Sequence, residues 1–222
     1  MGVPRADGYF GNCNLINKKN FRTRCSALIK FNDQNFLIDT SPDLRSQLLN
    51  NKIKSINKVF YTHFHADHTH GINDLRPFFL TNKKMIPIFA DKKTATYLNS
   101  TFNYCFKSAY GYPPTLKLNI LKDSYLFKNK NKKILIETIP TEHGNIESIC
   151  YLINKKLAYA SDISLFYKKD YRKFRNLDYL IIDCLWYKNH SAHFNLKQVL
   201  EFVKIILPKN IIPGYDGMVV SL

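Results

Sequence analysis

Between Tyr61 and Gly71 the chain crowds His63, His65, Asp67 and His68 into six positions, just after the apolar run Lys58-Val59-Phe60-Tyr61. That run reads as a short buried strand, residues 58–62, and Gly71 as a loop residue, so the cluster sits on a turn leaving the carboxyl end of a strand. An extended chain there aims His63 and His65 at one point, while Asp67 and His68 reach a second point nearby. Such a pattern fits two neighbouring metal ions. A mixture of imidazole and carboxylate is usual for metals that activate water, whereas a purely structural zinc favours cysteine. His70, at the end of the cluster, reads as a surface or supporting group.

Further ligands must come from elsewhere, and each candidate follows an apolar run. His143 stands in Thr141-Glu142-His143-Gly144, and Asp162 in Ala160-Ser161-Asp162. Both lie where a strand is expected to end.

The other elements follow from the same patterns. Residues 26–31 and 35–39 flank Asn32-Asp33-Gln34 and predict a hairpin. Thr40 or Ser41 is expected to cap a helix whose first turn holds Pro42 and Asp43 and which runs to about Asn50. A helix is expected after Gly71, a strand over 85–89, and a helix opening at Asp91 and Lys92. Residues 104–115, rich in aromatics and Pro113-Pro114, read either as an irregular flap or as a packed surface loop. Strands are expected over 134–139, 148–153, 157–160 and 178–183. Residues 196–207 carry apolar side chains at helical spacing with Asn195 as cap. Periodicity alone gives a mixed α/β chain, and with no linker in 222 residues it reads as one domain, 1–222.

The formal charge of +16 arises from 33 basic against 17 acidic residues. Such a surplus invites a polyanion partner. Lysine outnumbers arginine 26 to 7, however, in a chain also rich in Asn, Ile, Phe and Tyr. The densest run, Lys128-Asn129-Lys130-Asn131-Lys132-Lys133, reads as a solvated hairpin connection. No run is long enough to span a bilayer and the N-terminus has no secretory pattern, so the expected location is the cytoplasm, away from membranes. The five scattered cysteines form no Cys-x-x-Cys pair and read as reduced thiols, with Cys150 and Cys184 in buried strands.

The motif at His63 to His68 resembles the His-x-His-x-Asp-His signature of the metallo-β-lactamase-fold hydrolases. Gly2-Val3-Pro4-Arg5, Arg24-Cys25-Ser26, residues 37–43, Glu142-His143-Gly144, Ser161-Asp162, residues 190–194 and Pro213-Gly214-Tyr215-Asp216-Gly217-Met218 extend the resemblance to the subgroup of the phosphoribosyl cyclic phosphate phosphodiesterase, related to ribonuclease Z. The resemblance implies a four-layer αββα sandwich. It also implies that His63, His65 and His143 hold one metal, Asp67 and His68 another, and that Asp162 bridges them. His193 falls where this subgroup carries a catalytic histidine, and Asp67 is expected to orient the hydroxide as well as bind metal. The implied cofactor is Zn2+ or Mn2+. The implied reaction is attack of metal-bound hydroxide on a small cyclic phosphate ester, with His193 stabilising charge or protonating the leaving oxygen. His190 reads as a supporting or surface group.

Two departures from the family are visible. Met1 stands directly before Gly2-Val3-Pro4, where relatives have a first strand, and no histidine follows His193, where relatives have a strand, a last metal-binding histidine and a short helix. The fold is therefore expected to lack that first strand and a C-terminal strand–helix segment, with the second metal held more weakly. Exposed sheet edges would then favour aggregation or pairing into a homodimer. Two other readings stay open: an RNA-processing nuclease of the ribonuclease Z type, and a degenerate homologue that binds metal without turnover.

Overall fold

The computed structural model describes residues 3–11, 13–108 and 111–212. Two mixed sheets and six α-helices make up the fold among these residues, an α/β architecture. The chain divides into two compact units, Arg24–Leu121, and Met1–Thr23 with Lys122–Leu222.

The first unit opens with the expected hairpin, β1 (Ala27–Phe31) and β2 (Gln34–Ile38), antiparallel with Phe31 opposite Gln34. Its turn needs a left-handed residue, supplied by Asn32 at φ 55°, a conformation asparagine tolerates well. Then β3 (Lys58–Phe60), β4 (Ile86–Ala90) and β5 (Leu116–Ile120) add in parallel, giving the order β1-β2-β3-β4-β5. Helices α1 (Leu44–Asn50), α2 (Ala66–Thr69), α3 (Arg76–Asn82), α4 (Lys92–Thr101) and α5 (Asn103–Phe106) fill the connections. Leu44 and Leu48 of α1 and Leu98 of α4 pack with Val59, Ile88 and Ala90 in one buried cluster. Asp91 caps α4, accepting from the backbone N–H groups of Lys93 and Thr94 at 2.8 and 3.1 Å.

Several expectations need correction here. Neither Thr40 nor Ser41 caps α1; the residue before the helix is Asp43, which together with Pro42 lies outside it. Thr40 Oγ1 is instead bonded to Tyr61 OH and the Thr69 carbonyl, and the Asp43 carboxylate is held by Arg24. The strand expected over 58–62 stops at Phe60, because the Thr62 N–H leaves the ladder to donate to the Asp39 side chain at 2.8 Å. The segment after Gly71 begins as a 3-10 turn, Ile72–Leu75, before α3. Of the two readings of 104–115, the packed one fits its start: α5 is helical, and Cys105 is buried in the core cluster. β5 was not foreseen.

In the second unit, β6 (Ser124–Asn129), β7 (Lys132–His143), β8 (Ile146–Ile153), β9 (Leu157–Ala160), β10 (Tyr179–Ile182) and β11 (Asn210–Ile212) form a sheet of order β11-β10-β9-β8-β7-β6. The first three pairings from β6 are antiparallel, and β9, β10 and β11 run parallel. The lysine-rich run is indeed a hairpin tip, with Asn129 opposite Lys132. Helix α6 (Leu196–Ile206) starts with a reciprocal cap between Asn195 and Gln198 and buries Val199, Phe202 and Ile206 against Phe166, Phe174 and Leu180. A short strand, β11, follows α6; the sequence reading placed none there. The motif Pro213 to Met218 lies outside the described residues, as does Gly2. Among the described residues no helix is long and apolar enough to cross a membrane.

Gly71 fixes the return from the histidine-rich turn. Its N–H donates to the Thr40 carbonyl at 2.9 Å, and a Cβ built there would lie 1.9 Å from the Ser41 carbonyl oxygen. Because the obstacle is backbone, Gly71→Ala is expected to destabilise the fold by about 1–3 kcal/mol or more. Urea unfolding measures this, and an unchanged midpoint would disprove the close approach.

Candidate functional site

In the first unit, His63-Phe64-His65 leave β3 as irregular chain and Asp67 and His68 follow on the single turn of α2. The structure thus brings the four predicted ligands of this stretch together. The His63 ring lies 4.6 Å from that of His65 and 4.2 Å from that of His68, centroid to centroid. His63 and His68 are fully buried, while the Asp67 side chain is about half exposed.

What orients these rings is a residue to which the sequence reading gave no role. Asp39, at the end of β2, is fully buried at φ 61°. Its carboxylate accepts from Thr62 N–H at 2.8 Å, Thr62 Oγ1 at 2.7 Å and His68 Nδ1–H at 2.8 Å. Since the Thr62 hydroxyl is donated to Asp39, it accepts from His63 Nδ1–H at 3.0 Å. One carboxylate therefore sets the tautomers of two imidazoles, and in each the lone pair is left on Nε2. Burial pushes the Asp39 carboxyl above the usual range, and its bonds with His68 and Thr62 pull it back. The available signal was an acidic residue closing the apolar run Phe36-Leu37-Ile38, a place where an unpartnered charge could not remain. His70 is exposed and donates or accepts with Tyr97 OH at 2.9 Å, outside the cluster, as expected of a surface group.

In the second unit the structure brings together His143, Asp162 and His193, with one possible ligand atom from each within 4.8 Å of the others. His143 ends β7, Asp162 follows β9, and His193 lies in the loop before α6. His143 Nδ1–H donates to the Ala192 carbonyl at 2.6 Å, so its Nε2 carries the lone pair, 3.7 Å from Asp162 Oδ2. Gly144, at φ 61°, lets the chain turn directly beneath Ala192: a Cβ there would meet Ala192 Cβ at 3.0 Å.

A second unforeseen carboxylate serves His193. Asp183, just after β10, accepts from His193 Nδ1–H at 2.6 Å and from Ile163 N–H at 3.2 Å. Burial raises the Asp183 pKa, the His193 bond lowers it, and the neighbouring charge of Asp162 raises it again. Parallel pairing of β9 with β10 puts the two strand ends side by side: Asp183 N–H donates to the Ala160 carbonyl at 2.8 Å.

These donors suit a divalent metal. In each unit a carboxylate oxygen stands beyond direct hydrogen-bonding distance of a histidine Nε2, at 3.8 Å for Asp67 and His68 and 3.7 Å for Asp162 and His143. Two ligands each about 2.1 Å from one tetrahedral ion lie roughly 3.4 Å apart, so the spacing is that of groups with an ion between them.

A family model described as "Beta-lactamase superfamily domain" matches residues 34–214. An octanoyltransferase from Porphyromonas gingivalis is 27% identical, the match covering 98% of this chain and 48% of that protein. A ribonuclease Z from Methanocaldococcus jannaschii is 25% identical over 66% of this chain and 46% of that protein. The chain thus spans about half the length of the curated relatives it matches. Among solved structures, that of a diphosphatase from the PhnP family superposes with a TM-score of 0.83 at 28% identity, covering 95% of this chain and 80% of that one.

Asp183→Asn should keep the fold but weaken the hold on the His193 ring, lowering turnover roughly 10- to 100-fold. Steady-state kinetics beside circular dichroism checks this. Wild-type rates in a folded variant would show that Asp183 does not serve His193.

Proposed function

The chain belongs to the beta-lactamase superfamily, whose family model covers residues 34–214, and from this premise we propose that it is a metal-dependent phosphodiesterase acting on a small cyclic phosphate ester. The observation that carries the reading is the second unit's combination of two kinds of histidine. His143 is held with a lone pair on Nε2 beside Asp162, the form that ligates a metal. His193, 4.7 Å away ring to ring, is held by a partly buried carboxylate, the arrangement of a proton-transfer group. The likeness to the PhnP-family diphosphatase supports phosphoester chemistry. The matched span runs through both units, which supports a single domain over 1–222.

We assign metal binding to His63, His65, Asp67 and His68 in the first unit and to His143 and Asp162 in the second. The fold implies a divalent ion, here Zn2+ or Mn2+, one held tightly and a second more weakly. Such an ion, when bound, supplies Lewis acidity and acidifies water near neutral pH. The chain's own groups do the rest. Asp67, half exposed, orients the attacking water. His193 stabilises the developing charge and passes its Nε2 proton to the leaving oxygen, while Asp183 steadies the imidazolium through Nδ1–H. The charge of +16 draws a phosphorylated substrate inward. The location proposed is the cytoplasm, with a homodimer as the form in solution.

A ribonuclease Z-type activity on RNA is the second reading, favoured by the charge and by the archaeal relative. Contact with many phosphates would make it fall steeply with salt, whereas a small substrate engages few.

Zinc- or manganese-loaded protein is expected to hydrolyse bis-p-nitrophenyl phosphate, and His65→Ala to abolish turnover. A folded protein inert with both metals would support instead a homologue that binds metal without turnover. Atomic absorption after gel filtration should count one ion per chain, with a second appearing only in metal-supplemented buffer. Two retained ions would overturn the weak second site.

A further inference from the structure

The loop between β10 and α6 carries a third imidazole that the reading above does not use. His190 is exposed, and its ring centroid lies 5.1 Å from that of His193. Its position is set by the same short turn that sets the other two. Ala192 N–H donates to His190 Nδ1 at 3.2 Å, while the carbonyl of the same residue accepts from His143 Nδ1–H at 2.6 Å. A ring that accepts at Nδ1 carries its proton on Nε2 when neutral. The two peptide groups flanking Ala192 thereby fix opposite tautomers in two histidines: His143 offers a lone pair from Nε2, and His190 offers an N–H.

The backbone beneath His190 is also restrained. Asn195 Nδ2 donates to Asn189 Oδ1 at 2.7 Å, and Asn195 is itself buried as the cap of α6. Leu185 N–H donates to the Phe194 carbonyl at 2.9 Å, closing the base of the loop. An exposed imidazole in a closed loop, with its tautomer chosen and its neighbour a partly buried Asp–His pair, is preorganised to donate one hydrogen bond.

We propose that His190 is a substrate-binding residue, its Nε2–H donating to a non-bridging phosphoryl oxygen of the ester while His193 serves the leaving oxygen. This rests on the phosphoesterase reading above. It assigns ground-state binding to His190 and proton transfer to His193, two roles that kinetics separates. A bond from a neutral donor to a charged oxygen is worth about tenfold in affinity or somewhat more.

The test uses the zinc-loaded full chain with bis-p-nitrophenyl phosphate as substrate and inorganic phosphate as a calorimetric probe. His190→Ala is expected to raise KM and the phosphate Kd about tenfold and to change kcat less than threefold, with the zinc content unaltered. His190→Gln, whose side-chain amide still donates, should recover part of the loss. His193→Ala should show the reverse pattern, a loss in kcat. Unchanged KM and phosphate affinity in His190→Ala would overturn the assignment, as would a fall in kcat or zinc content at constant KM, which marks a structural role. A wild-type protein that holds zinc yet neither turns over the ester nor binds phosphate would bring down the phosphoesterase reading and this assignment with it.

Discussion

Asp39 is the constraint on which the first unit depends. A carboxylate with no solvent exposure is costly unless it is well hydrogen-bonded, and here three donors engage it: Thr62 through backbone and side chain, and His68. Its left-handed backbone, φ 61°, costs of order 1–3 kcal/mol in a non-glycine residue. The strain is tolerated because that conformation swings the side chain under the end of β3. There it withdraws Thr62 from the ladder, ends the strand, and releases His63 and His65 from the sheet. Strand termination and the orientation of the imidazoles are thus one event.

The second unit solves the same problem with a main-chain group. Ala192 bonds one imidazole through its carbonyl and another through its N–H, and the adjacent His193 is held by Asp183. The loop can do this because both of its ends are secured, at its start by the bond from Asp183 N–H to the Ala160 carbonyl at 2.8 Å and at its end by the Asn195–Gln198 cap of α6. Phe194 also lies in the buried cluster with Phe166 and Phe202. Aromatic packing under the loop therefore bears directly on where His193 stands.

The charge of the chain follows a different logic. Lys128 and Lys133 face each other across the β6–β7 hairpin, an unfavourable pairing of like charges. Exposure to water and salt keeps its cost small. Such lysines shape the general field around the protein, whereas the carboxylates that matter locally, Asp39 and Asp183, lie inside it.

The linear pattern alone was enough for the α/β class, the β1–β2 hairpin, the start of a helix at Asp91–Lys92, the cap at Asn195, and the clustering of His63, His65, Asp67 and His68. Each depends on neighbours a few residues apart, where turn chemistry, periodicity and spacing act directly. Asp39 and Asp183 escaped notice because nothing near them in sequence says what they touch: Asp39 meets His68 across 29 positions. β11 and the early end of β3 were missed for a related reason, since a three-residue strand is defined by its partner and a ladder can be cut by a distant side chain. The sequence determined which residues can bind metal and which can move a proton. Tertiary structure decided which nitrogen of each ring is left available for it, because that choice belongs to whatever hydrogen bond the other nitrogen finds once the chain has folded.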